Sequence, residues 1–214
     1  MHVLRNLAPE SKILKYYGGY DPVYFFPAEN ISKSSADSKL LNHEIVFTGG
    51  SYSGLSEGAF RAGILGQLVT DGYKVSIWGD AGWREWFRYY PELESSFKGQ
   101  RLEYKELRSL LLNSKIYLNM PSPQIAYSFQ PRVFEIAASK GFQIILHSDE
   151  LRQFFDLDKI ATFHSYCELK EKLNFYLSNP EERQIIVDYM YQETVNKRTF
   201  KAEIERLAKA MKII

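Results

Sequence analysis

One cysteine, Cys167, in 214 residues excludes an internal disulfide and any cysteine-based zinc site, and it fits a reducing compartment with the cytoplasm as default. Cys167 also has no adjacent base in sequence and offers no nucleophile. Charge of one sign is missing as well. Lys and Arg number 27 against 26 Asp and Glu, so no net field draws the chain toward nucleic acid or an acidic membrane. Met1 to Asn30 holds no apolar run long enough for a signal peptide or a membrane span. His, Asp and Glu nowhere fall at metal-ligand spacing, and there is no internal repeat or low-complexity run. What remains is 45% hydrophobic and 25% charged, an ordinary globular composition long enough for one large domain or two small ones. Aromatics reach 15% but are scattered through many elements, which reads as core and pocket wall rather than a stacking platform.

Residues 1–43 differ from the rest. Gly18-Gly19, Pro22 and Pro27 break any long element, and a polar linker, ISKSSADSKLLN, follows. Tyr16, Tyr17, Tyr20, Tyr24, Phe25 and Phe26 are too apolar to be left in solvent, so this segment is expected to pack on the main domain or on a partner. From Glu44 strands alternate with helices five times, predicting an α/β fold, a Rossmann-like doubly wound parallel sheet with C-terminal helices, over residues 44–214. Glu44 to Thr48 reads as a buried strand, followed by a turn containing Gly49 and Gly50. Ser56 to about Asp71 then reads as a helix with Phe60, Ile64, Leu65 and Leu68 on one face. Tyr73 to Trp78 is a second strand ending at Gly79, and Phe97 to Gln100 reads as a turn. Glycine-bearing turns after a strand can cradle a phosphate, but these match neither GxGxxG nor a P-loop. Trp83, Trp86 and Phe87 read as packing.

The most informative stretch is PRVFEIAASKGFQIILHSDELRQFF, 131–155. Pro131 suits a first helical turn, Gly141 is expected as the left-handed cap, and Phe142 to Leu146 reads as a buried strand ending at His147-Ser148-Asp149. In a parallel sheet ligands sit at the carboxyl ends of strands, beside helix N-termini whose free N–H groups suit a phosphate. Arg132 and Glu135 lie one turn apart there. They form either a nucleotide clamp, with Arg132 on a phosphate and Glu135 accepting from ribose hydroxyls, or a surface ion pair worth about 0.3–0.5 kcal/mol. His147 faces either a ligand or only its own loop; His43 and His164 read as structural.

From about Glu44 to Leu207 the pieces FTGG, IWGDAGW, FKGQRLEYKELRSLLLNSKIYLNM, PRVFEIAASKGFQIIL and DKIATFHSYCELKEKLNFYLSNPEERQIIV follow in an order that resembles CgeB-like glycosyltransferases. The match is to the C-terminal, donor-binding half of these retaining GT-B enzymes. The resemblance implies that Glu135 holds the donor ribose and that Arg132 stands near the diphosphate. It further implies that Gly49, Gly50 and Gly79 line the cleft, and that Lys98-Gly99 lies where backbone groups contact the base. It implies a nucleoside diphosphate sugar as donor substrate and no metal or other cofactor. Two positions depart from the pattern. Tyr127 stands where related enzymes carry a second glutamate, and Arg198-Thr199-Phe200, followed by Glu203, replaces a His-Thr-aromatic motif with its arginine.

The expectation is therefore a glycosyltransferase-like domain that binds a nucleoside diphosphate sugar for transfer to a hydroxyl. Residues 1–43 are too few for an acceptor domain, so a separate acceptor-domain chain or a homo-oligomer would complete it. The alternative is a noncatalytic nucleotide-sugar-binding or protein-interaction module, with no nucleic acid and no membrane span in either case.

Overall fold

The computed structural model describes residues 14–27, 40, 42–122 and 128–213. Six strands form one parallel sheet in the order β3-β2-β1-β4-β5-β6. They are β1 (His43–Thr48), β2 (Val75–Trp78), β3 (Phe97–Gly99), β4 (Ser114–Asn119), β5 (Gln143–Leu146) and β6 (Thr162–Phe163). The helices are α1 (Ser56–Thr70), α2 (Trp83–Trp86), α3 (Leu93–Ser96), α4 (Tyr104–Leu112), α5 (Arg132–Ala138), α6 (Tyr166–Ser178), α7 (Pro180–Thr194) and α8 (Phe200–Met211). Two 3₁₀ turns, Asp149–Gln153 and Leu157–Lys159, connect β5 to β6.

Strand alternation divides the core. Ile45 and Phe47 pack with Ala62, Leu65 and Leu68 of α1 and Leu169 and Leu173 of α6. Val46 faces the opposite layer, with Leu107, Leu110 and Leu111 of α4 and the buried side of α5. Covering both faces requires near-continuous apolar strands, and β2 is buried at all four positions. The chain goes from β1 outward to β2 and β3, then crosses to β4 on the other side of β1. That reversal opens a crevice between the carboxyl ends of β1 and β4, the place where such sheets take ligands.

Several local expectations change. Phe97–Gly99 is a short edge strand, joined to β2, where a turn was expected. Lys140, with φ +56°, adopts the left-handed conformation in place of Gly141. The α5 end is a Schellman closure, Lys140 N–H to Ala137 O at 3.1 Å and Gly141 N–H to Ile136 O at 2.9 Å. Gly141 is nonetheless tight, since a Cβ there would come within 3.0 Å of Ile136 Cγ2. On α1, Phe60 is 48% exposed while Arg61 is buried at 3%, the reverse of the apolar-stripe expectation. The aromatic N-terminal segment packs on the domain, with Tyr20 and Phe25 buried, but Tyr16, expected to be covered with them, is 55% exposed.

A buried amide ladder ties the sheet to α5. Asn119 Nδ2 donates to Gln143 Oε1 at 2.8 Å, and Gln143 Nε2 donates to Val133 O at 2.9 Å. Asn119→Ala would leave the Gln143 oxygen unsatisfied, and a loss of about 1–3 kcal/mol is expected in urea unfolding; an unchanged midpoint would show the ladder to be dispensable.

Candidate functional site

The loops after β1 and β2 are stitched together. Gly49 N–H donates to Trp78 O at 3.0 Å and Gly79 N–H to Gly99 O at 3.1 Å. The indole N–H of Trp83 donates to Gly49 O at 2.9 Å and that of Trp86 to Ser51 O at 3.1 Å. Both tryptophans are buried, so they brace the glycine loop from below. Gly79 permits this approach, because a Cβ there would collide with Gly49 O and the Trp83 indole. Asp80 locks the second loop to the first, accepting from Ser51 N–H at 2.9 Å, Ser51 Oγ at 2.5 Å and Gly82 N–H at 2.9 Å. Burial pushes the Asp80 carboxyl up, but these bonds outweigh it and hold it below the usual carboxylate value.

Arg61 rises from α1 into the crevice between β1 and β4. Its guanidinium donates at 3.0 Å to Gly50 O and at 3.0 Å to Met120 O, so it bridges the loops on both sides of the switch point. It lies 5.0 Å from the Tyr52 ring centroid and 5.5 Å from that of Phe47. No carboxylate pairs with it among the described residues, and its Nε has no hydrogen-bond partner. Burial lowers its proton affinity, with Tyr52 and Tyr117 opposing, yet a guanidinium stays charged. Nothing in the spacing of sequence motifs singles out Arg61; the available signal was its i+4 and i+7 spacing to Leu65 and Leu68, which places it on their side of the helix.

The third wall is the start of α5. Arg132 Nε lies 3.0 Å from Glu135 Oε2, and both side chains are largely buried. Arg132 Nη1 and Glu135 Oε2 are nevertheless buried without a hydrogen-bond partner. Desolvation raises the Glu135 carboxyl above its usual value, and the charges of Arg132 and Arg101 oppose it. The expected free N–H groups at this helix start are in use: Val133 N–H donates to Gln130 O and Phe134 N–H to Pro131 O. Side chains, not the helix end, therefore supply the positive charge.

These elements enclose a cleft of about 350 Å³. Among the described residues its lining includes Gly49, Gly50, Gly79 and Arg132 of the expected set, together with Arg61, Arg101 and Tyr104. Asp80 is the one carboxylate there. Glu135 stands behind Arg132 rather than in the lining. Lys98 is exposed and donates to Ser95 O at 2.7 Å, while Gly99, at φ +144°, sits before the lining residues Arg101 and Leu102. His147 lies elsewhere, its ring stacked on His164 with centroids 4.0 Å apart and Nε2 3.4 Å from Asp149 Oδ1. Tyr127 falls outside the described residues. No helix among the described residues is long and apolar enough to cross a membrane.

Sheet order and the position of the cleft define a Rossmann-like domain of the type that forms the C-terminal half of GT-B glycosyltransferases. A family model described as glycosyl transferase-like matches residues 61–209. The chain belongs to that family. It is 38% identical over 215 aligned positions to the spore protein CgeB of Bacillus subtilis (strain 168). That alignment covers 91% of this chain but 63% of CgeB, so the chain spans less than two thirds of its relative's length. Among solved structures it is similar to sucrose-phosphate synthase from Thermosynechococcus elongatus, with TM-score 0.69, 9% identity, and coverage of 99% of this chain and 55% of that one. Anabaena Alr3699/HepE in complex with UDP-glucose superposes with TM-score 0.67 at 12% identity, covering 93% of this chain and 57% of HepE. At such identities these structures establish the fold alone.

The raised Glu135 carboxyl makes a stability prediction. The folded state binds this proton more tightly than the unfolded chain does. That contribution is fully present below the unfolded pKa of about 4.3 and is lost as pH rises through the raised folded value. Glu135→Gln, permanently neutral, is expected to melt above the wild type at pH 7, with the gap closing toward pH 4.3. A gap in thermal unfolding that does not change with pH would refute it.

Proposed function

We propose that this domain binds a nucleoside diphosphate sugar in the cleft and acts as the donor-binding part of a glycosyltransferase that transfers the sugar to a hydroxyl acceptor. The observation that carries this reading is the charge of the cleft. Arg61, Arg101 and Arg132 line it against one carboxylate, Asp80, which is already committed to Ser51 and Gly82. Buried polar atoms without partners are rare in folded proteins and mark places where a ligand completes the bonding. Here Arg61 Nε and Arg132 Nη1 are such atoms, while Glu135 Oε2 has only its ion pair with Arg132 Nε. A diphosphate between the arginines and ribose hydroxyls on Glu135 would satisfy them. UDP-glucose bound to the structurally similar HepE supports the choice of ligand class.

The chemistry this arrangement supports is electrostatic. As the sugar–phosphate bond breaks, the departing diphosphate gains charge, and cations fixed in a partly buried site stabilise it without reorganising. Arg61 is anchored on two backbone carbonyls and Arg132 is held by Glu135, so both are in position before the donor arrives. Asp80 is unsuited to proton transfer, being held ionised by three donors. The acceptor and a general base would come from the part of the enzyme that CgeB has beyond this match.

Among the described lining residues Asp80 is the one carboxylate and there is no histidine to act as base, which favours one rival, binding without turnover. Calorimetric titration with UDP and with GDP tests the common part of both readings. Binding in the micromolar to low-millimolar range is expected, weakened about tenfold or more in Arg132→Ala and in Glu135→Ala. No binding of either nucleotide at millimolar concentration would overturn the donor site. Slow UDP-sugar hydrolysis that falls in Arg132→Ala would select the catalytic reading, and affinity without hydrolysis the binding module.

A further inference from the structure

The N-terminal segment reaches the site at two points. Between them it is fastened to the C-terminal helix. Tyr20 N–H donates to Arg198 O at 3.0 Å and Phe200 N–H donates back to Tyr20 O at 3.2 Å. Tyr17 N–H donates to Glu203 Oε1 at 2.9 Å, and Arg206 donates to Lys15 O at 2.6 Å. Lys15 also pairs with Glu150. Gly18 and Gly19 make this path possible. Gly18 takes φ +76° and lies against Pro131, whose ring a Cβ would strike. A Cβ on Gly19 would come within 2.6 Å of Phe200 N. The double glycine therefore threads between the residue that opens α5 and the turn that opens α8.

The aromatic residues on either side of these glycines touch both cleft walls. Tyr17 packs parallel to Phe129 with ring centroids 6.2 Å apart and edge-on to Phe154 at 5.0 Å, while its hydroxyl donates to Gln153 Oε1 at 2.8 Å. Phe129 immediately precedes Gln130 and Arg132, which line the cleft. At the other end Tyr24 and Phe25 lie 5.0 and 5.7 Å from the ring of Tyr104, a residue of the opposite wall. Tyr104 is itself 45% exposed, so the segment's rings supply part of the cover on that wall, while α5 is buried at five of its seven positions and meets the segment at its N-terminal end.

We propose that residues 15–25 are a strap that sets the spacing of the two cleft walls, with Tyr17, Gly18 and Gly19 as positioning residues for the anion-binding arginine Arg132. The strap bears no group that touches a ligand. It acts through Phe129 and Pro131 on one side and Tyr104 on the other. By reciprocity of coupling, whatever displaces the strap weakens ligand binding, and a ligand that pulls the walls together tightens the strap. The proposal rests on the donor-cleft reading for its functional consequence and on geometry alone for the coupling.

Two readouts separate those parts. The first is amide hydrogen exchange on the full chain without nucleotide, comparing Tyr17→Leu, Gly18→Ala and the control Val23→Ala, whose side chain is exposed. Tyr17→Leu and Gly18→Ala are expected to speed exchange of the 133–135 and 107 amides about fivefold or more, leaving β1 amides unchanged. Tyr17→Phe keeps the ring packing and is expected to behave as wild type. The second is UDP titration of the same variants, with an expected loss of affinity of about fivefold or more in Tyr17→Leu. Faster exchange spread equally over β1 and the walls, or unchanged walls in both variants, would overturn the strap. If Gly18→Ala does not fold, Tyr17→Leu and Tyr17→Phe decide the matter. Failure of the wild type to bind either UDP or GDP would remove the donor reading, and the exchange data would still decide the coupling.

Discussion

A guanidinium with 3% exposure has given up most of its hydration, and in Arg61 that loss is balanced by two backbone carbonyls, Gly50 O and Met120 O. The two belong to loops that leave neighbouring strands, β1 and β4, in opposite directions. Without a cation between them these loops would present parallel lone pairs across an empty crevice. With it they are joined, and the joint lies where the sheet order reverses. The tryptophans beneath the glycine loop, the Asp80 link to the second loop and the amide ladder to α5 are arranged around that joint.

The electrostatics of the cleft follow from the same economy of partners. Isolated buried charge is costly, and proteins ordinarily pair it. Here Glu135 pairs with Arg132, but desolvation still holds its carboxyl above the usual value. Asp80 stays ionised, satisfied by hydroxyl and amide donors rather than by a cation, and Arg61 has no carboxylate partner among the described residues. The site is built short of negative charge. On the proposed donor reading, an anion with two phosphate groups would supply that charge.

Much of the architecture was legible in the chain. Leu65 and Leu68, read on one face of the first helix, are buried, and the strand read at Phe142 to Leu146 forms as β5. Apolar runs after glycine punctuation became parallel strands. The departures have local causes. Phe97–Gly99 is too short to show a strand period, and becomes one only because β2 offers it an edge. Gly141 was read as the helix cap because glycine tolerates positive φ, yet Lys140 takes that role while Gly141 answers the closeness of Ile136. Phe60 and Arg61 exchange faces because the inward side of α1 meets backbone carbonyls at its start, where a donor fits and a phenyl ring does not.

Sequence by itself determined the fold class, the family resemblance and the glycine loops at the ends of β1 and β2, since each depends on periodicity, turn chemistry or contiguous motif. It also placed Arg132 beside Glu135, because one helical turn separates them. Only the tertiary structure decided which charges share the cleft. Arg61, Arg101 and Arg132 are separated by long stretches of chain and converge only when β4 crosses to the far side of β1. The same crossing carries His147 away toward His164. The N-terminal aromatics found their place for a related reason: packing between α5 and α8 is a property of surfaces distant in sequence, and no local pattern encodes a surface before the chain has closed around it.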